Sequence, residues 1–140
     1  MILGVDHPAL AVPDIQQALD FYCGVVGFEV AAEFDLPGGL MEAPFGIEKA
    51  GCKVRMIHKG GTKIELFEFE HSEPGEATRP VNRQGITHIA LTSDDVPSDY
   101  ATLEAAGVSF NTPVQGESPN QWCYGRDPFG NVIELLEGSA

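Results

Sequence analysis

Two histidines and two glutamates carry the chemistry open to this chain. His7 and His88 stand near the start of two similar segments, "GVDHPALAV" (4–12) and "GITHIALTS" (85–93). Glu65 and Glu134 each interrupt an apolar run around the tripeptide "IEL", in "TKIELFEFE" (62–70) and "NVIELLE" (131–137). Strand side chains alternate between faces. Glu65 then shares a face with Phe67 and Phe69, and Glu134 with Val132 and Leu136. His7 shares one with Val5 and Ala9, and His88 with Ile86 and Ala90. A carboxylate on such a face costs several kcal/mol unless something positive meets it. No Lys or Arg holds an obvious matching inward position in all four strands. A divalent cation would satisfy both carboxylates and engage both imidazoles, so His7, Glu65, His88 and Glu134 read as one ligand set. Taken singly, a strand His is more often a hydrogen-bonded core residue, and a strand Glu often guards an edge. Their repetition at matching places in two halves argues against coincidence.

The elements that must position these residues repeat too. After the first His segment, "DIQQALDFYCGVVGF" predicts a helix. Asp14 is its N-cap, with Gln17 three residues on in a capping-box pattern; Ala18, Phe21, Tyr22 and Val25 form its apolar face, and Gly27 its stop. After the second, "DDVPSDYATLEAAGVSF" predicts another, with Tyr100, Leu103 and Ala106 on one face and Gly107 at the end. Strands follow each helix: "FEVAAEF", "CKVRMIHK" and "TKIELFEFE" in the first half, "VSFNTPV", "QWCYGRDP" and "NVIELLE" in the second. Glycine turns at 59–61 and 127–131 fit hairpins. The fold class expected is α+β, with two tandem βαβββ modules curling into an incomplete barrel with helices outside. One domain spans 1–140, with module 1 at about 1–70, a polar linker at about 71–84 and module 2 at about 85–137. Residues 40–50 are expected to form a short helix or a mobile lid.

Composition limits the partners. At 140 residues and 43% hydrophobic, the chain has enough apolar material for one core. A net charge of -13 repels phosphate backbones and anionic lipid, so nucleic acid and membranes are excluded as partners and a small molecule is expected. No apolar run approaches the roughly 20 residues of a bilayer span. "MILGVDHPAL" has no basic n-region and reaches Asp6 and His7 too early for a signal peptide. Cys23, Cys52 and Cys123 form no CxxC and read as free thiols in a reducing cytoplasm.

From "VDHPALAVPDIQQALDFYCGVVGFEV" to "DPFGNVIELLE" the chain resembles the vicinal oxygen chelate superfamily, which includes glyoxalase I, methylmalonyl-CoA epimerase, extradiol dioxygenases and fosfomycin resistance proteins. The resemblance implies the paired βαβββ fold, a homodimer, and metal ligands at His7, Glu65, His88 and Glu134. It also implies a reaction type. Extradiol dioxygenases use two His and one carboxylate, and no ligand where Glu65 stands; the glyoxalase and epimerase branches do place one there. A second carboxylate suits proton abstraction alpha to a carbonyl, with a metal as Lewis acid. Glu65 or Glu134 is then the base, and Glu48, before "GCKV", matches a further Glu of the epimerase branch. Departures are specific. Bacterial glyoxalase I has an Arg four residues after the first His, where this chain has Ala11, and an Asn four after the first Glu, where it has Phe69.

The reading is a metal-dependent lyase or isomerase acting on a small alpha-hydroxy carbonyl or thioester, with Ni, Co, Mn, Zn or Fe as the divalent ion. Phe67, Phe69, Trp122 and Tyr124 are candidates for an apolar substrate pocket, and Arg126 or Arg55 for holding a substrate carboxylate. Two alternatives stand beside it: an Fe(II) extradiol dioxygenase, and a ligand-sequestering resistance protein of the bleomycin type. The intact set of four ligands argues against the latter.

Overall fold

A computed structural model describes residues 1–75 and 79–138. The chain divides into two compact units, Met1–Pro74 and Gly75–Ala140. The expected linker includes residues 76–78, which lie outside the described residues. Each unit runs βαβββ, as the duplication implies. The first contains β1 (Ala9–Ala11), α1 (Ile15–Tyr22), β2 (Glu29–Leu36), a short α2 (Glu42–Phe45), β3 (Cys52–Lys59) and β4 (Thr62–Phe69). The second contains β5 (Ile89–Ser93), α3 (Val96–Ala105), β6 (Ser109–Phe110), β7 (Trp122–Arg126) and β8 (Val132–Glu137). The sheets have matching orders, β1-β4-β3-β2 and β5-β8-β7-β6. In both, the first strand lies parallel to the last and the rest are antiparallel. Among the described residues, no helix is long and apolar enough to cross a membrane.

In the first unit the two faces of the sheet divide their work. Ile57, Ile64 and Leu66 are fully buried, as is Ala18 of α1. Each such aliphatic side chain contributes about 1.5–3 kcal/mol. Glu68 shares the face of Ile64 and Leu66, and its carboxylate accepts from the Ile15 amide at 2.7 Å, fixing the start of α1 on that side. Asp14 caps the helix by accepting from the Gln17 amide at 2.9 Å. The helix ends at Tyr22, before the predicted stop; Gly27, at φ 84°, instead turns the chain into β2. On the opposite face Cys52, Val54 and Phe67 are buried against Leu36, Met41 and Phe69. Segment 40–50 supplies the short helix of the two options, and its Phe45 lies edge-on to both Phe67 and Phe69.

The second unit buries Val96, Leu103, Val108, Cys123, Ile133 and Leu135. Asp95 caps α3 through the Ser98 amide. The β7–β8 turn is built on Asp127, which is buried: its carboxylate accepts from the Phe129 and Asn131 amides and from the Asn131 side chain. That local network is what the "DPFGN" sequence encodes. Three strands are much shorter than predicted. Segments 4–12 and 85–93 pair as strands only over Ala9–Ala11 and Ile89–Ser93; in the first, Pro8 has no N–H to give the ladder, although its carbonyl still accepts from the Glu65 amide. Segment 108–114 pairs as a strand at Ser109–Phe110; beyond them the Asn111 amide donates to the Tyr124 carbonyl and Gln115 bridges Trp122.

Candidate metal centre

Parallel pairing of the first and last strands sets the position of each histidine. Ala9 is the register partner of Glu65, and Ala90 of Glu134. Each histidine precedes that alanine by two residues, so its ring returns over the same glutamate. His7 Nε2 lies 3.1 Å from Glu65 Oε2, and His88 Nε2 lies 3.1 Å from Glu134 Oε2. Exposure is alike as well: the imidazoles are 28% and 30% exposed and the carboxylates 21% and 15%, open enough to admit an ion yet partly shielded from water. Two lone-pair atoms face each other at this distance only when a cation lies between them, either a proton or a metal. A separation of 3.1 Å is that of an imidazole–carboxylate hydrogen bond, and imidazole and carboxylate are both donor types that a divalent ion takes.

Behind these pairs the two halves differ. His7 Nδ1 is 2.8 Å from Asp6 Oδ2, and Lys63 Nζ donates to both Asp6 oxygens at 2.8 Å. The Asp6 hydrogen bond is the main reason the His7 imidazole holds its proton above the usual pH range; Glu65 adds to it and partial burial opposes it. Lys63 in turn, followed by His7, holds the Asp6 carboxyl below its ordinary range. His88 Nδ1 meets a neutral group instead, the Thr87 hydroxyl at 2.8 Å. Tyr124 is the register partner of Glu134 and lies edge-on to the His88 ring at 5.2 Å between centroids. Its hydroxyl is pushed up first by a hydrogen bond to Glu134 and then by burial.

The other sequence-selected residues fall in different places. Phe67 and Phe69 stack at 5.5 Å on the Glu65 face. Trp122 is exposed and meets Tyr124 edge-on. Arg126 spends its guanidinium on the backbone carbonyls of Gly130 and Arg79, which makes it a brace for the β7–β8 turn. Arg55 alternates to the face opposite Glu65 and is held by Glu33, Asp35 and the Phe34 carbonyl. Glu48 is exposed between α2 and β3. Val5 and Ile86, expected on apolar faces beside the histidines, are 92% and 78% exposed, because both lie outside the short strands. Burial raises the Cys23, Cys52 and Cys123 thiols, so none is a ready thiolate. Sequence reasoning missed Asp6, Lys63 and Phe45. The "DH" dipeptide was the available signal for the first. Among the described residues no group of three or more His, Cys, Asp and Glu is placed to hold a metal ion.

The family model of the Glyoxalase/Bleomycin resistance protein/Dioxygenase superfamily matches residues 4–135. The chain belongs to that superfamily. Among its relatives, a 2-epi-5-epi-valiolone epimerase of Actinomyces sp is 28% identical, over 96% of this chain and 79% of the relative. The mitochondrial methylmalonyl-CoA epimerase of Dictyostelium discoideum is also 28% identical, over 95% of this chain and 77% of its own. A crystal structure of a glyoxalase family protein from Bacillus cereus superposes with a TM-score of 0.86 at 23% identity, covering 98% of this chain and 95% of that one. Such kinship makes this chain a glyoxalase-type protein with enzymes among its relatives.

Proposed function

We propose that this superfamily member is a metal-dependent lyase or isomerase that moves a proton alpha to the carbonyl of a small alpha-hydroxy carbonyl or thioester. One observation carries the reading: the same His–Glu pair, at the same register and the same 3.1 Å, in both units. His7, Glu65, His88 and Glu134 are the proposed ligands for a divalent ion of the class Ni, Co, Mn, Zn or Fe. Bound there, the ion would act as a Lewis acid toward the oxygens of a developing enediolate. The chain's own contributions are distinct. Glu65 or Glu134 takes the proton. The Tyr124 hydroxyl orients Glu134. Phe67 and Phe69 beside Glu65, and Trp122 and Tyr124 beside Glu134, keep water from the reacting carbon. Similarity to two proteins named as epimerases favours isomerisation. Ala11 and Phe69 depart from the Arg and Asn that the resemblance to bacterial glyoxalase I implies for binding glutathione, which favours a substrate other than a glutathione adduct. A homodimer in a reducing cytoplasm suits both the family and the three free thiols.

Metal analysis of the purified protein tests this. A stoichiometric divalent ion, lost in His88→Ala without loss of the folded circular-dichroism spectrum, is the expected result. Exchange of the alpha proton of candidate substrates into deuterated water then reads out the chemistry. Iron with oxygen uptake on catechols would replace the proposal with ring cleavage. An ion content unchanged by His88→Ala would reject the ligand set.

A further inference from the structure

We infer that Asp6, braced by Lys63, is a positioning residue for the metal centre: it fixes the His7 ring so that Nε2 turns its lone pair toward the point shared with Glu65. The inference rests on the metal reading above. An ionised carboxylate only accepts hydrogen bonds, so Asp6, at 2.8 Å, favours the proton on Nδ1 over the Nε2 proton that Glu65, at 3.1 Å, favours. The form with the proton on Nδ1 leaves Nε2 free for an ion. Neighbouring residues of a regular strand point to opposite faces, so this contact requires the chain to leave the strand, and β1 begins only at Ala9. Lys63 holds both Asp6 oxygens at 2.8 Å. It stands two residues before Glu65 on β4, so a single strand carries both the ligand and the brace.

Internal duplication supplies the control. Matching "VDHPALAV" to "GITHIALTS", and "TKIELFE" to "NVIELLE", places Thr87 opposite Asp6 and Val132 opposite Lys63. The acid and the base that neutralises it occur together in one half and are both missing from the other. A hydroxyl donates or accepts as its partner requires, so Thr87 imposes no ring form on His88. His7 is therefore a pre-set imidazole and His88 an adaptable one.

Asp6 is 68% exposed, so replacing it leaves the core intact. Chelator competition with Co2+ at a fixed pH on the alkaline side of neutrality should show Asp6→Ala weakened by about 10- to 100-fold, the usual cost of losing a ligand's outer partner. Asp6→Asn should lose less, since its amide oxygen still accepts. Thr87→Val should lose less than Asp6→Ala. In the ion-free protein, nitrogen–proton correlation spectra should place the neutral His7 proton on Nδ1 in the wild type and on Nε2, facing Glu65, in Asp6→Ala. An Asp6→Ala protein with wild-type Co2+ affinity, or with the proton still on Nδ1, overturns this inference alone. A wild-type protein that takes up no Co2+ overturns the metal reading and this inference with it.

Discussion

Ion binding at His7 should depend on pH with a break displaced above 6.5, the usual imidazole value. Both ring nitrogens face carboxylates, Asp6 at 2.8 Å and Glu65 at 3.1 Å. Without a metal, the charged ring is favoured by both, chiefly by Asp6, and its folded-state pKa is raised. The ion-free protein therefore gains stability that is complete below the unfolded value and is lost as pH rises through the raised folded one. Metal binding runs the opposite way, because the ion must displace the Nε2 proton. Below the folded pKa the apparent association constant should fall about tenfold per pH unit for that one proton, and above it the dependence should flatten. Chelator competition with Co2+ across neutrality locates the break. Calorimetry in buffers of different protonation enthalpy counts the protons released. Asp6→Ala removes the largest cause and should bring the break down toward 6.5. A break at or below 6.5 in the wild type, or binding that ignores pH, would refute the claim that His7 meets the ion through a nitrogen poised between two carboxylates.

Two further outcomes concern the scaffold. Leu66→Ala removes a fully buried side chain from the α1 face and should cost about 2–5 kcal/mol by urea unfolding; a change within error would mean that the sheet and helix do not share the core described here. Glu68 is held below the usual carboxylate range first by the Lys53 hydrogen bond and then by the Ile15 amide. Its stabilisation is present above the unfolded value of about 4.5 and is lost as pH falls through the lowered folded one. Glu68→Gln should therefore lower stability near neutrality and flatten the acid limb of the unfolding midpoint; an acid limb identical to the wild type would remove Glu68 from the account.

What the sequence disclosed, and what it hid, divide along the range of the forces involved. The βαβββ repeat was legible because alternation, capping and glycine turns are local: Asp14, Asp95, Gly60 and the Asp127 turn act within a few residues of themselves. The pairing of His7 with Glu65 was legible for another reason, since duplication supplied a second copy against which to check the first. The brace was hidden. Nothing in the period-2 pattern says that β1 starts only at Ala9, leaving Asp6 and His7 outside the strand and in contact. Lys63 was missed with it, although it sits on the Glu65 side of β4 and reaches Asp6. Arg126 erred in the opposite sense: its place in a strand beside Tyr124 suggested a ligand contact, while its donors were already taken by carbonyls of a turn and a neighbouring segment. In both cases the alternation rule places Cβ correctly, but a long charged side chain goes to its nearest unmet partner, and that partner depends on where strands stop. Strand ends are thus where this chain sets the chemistry of its histidines apart, and the half with Asp6 and Lys63 is where substitutions should change metal affinity without touching the core.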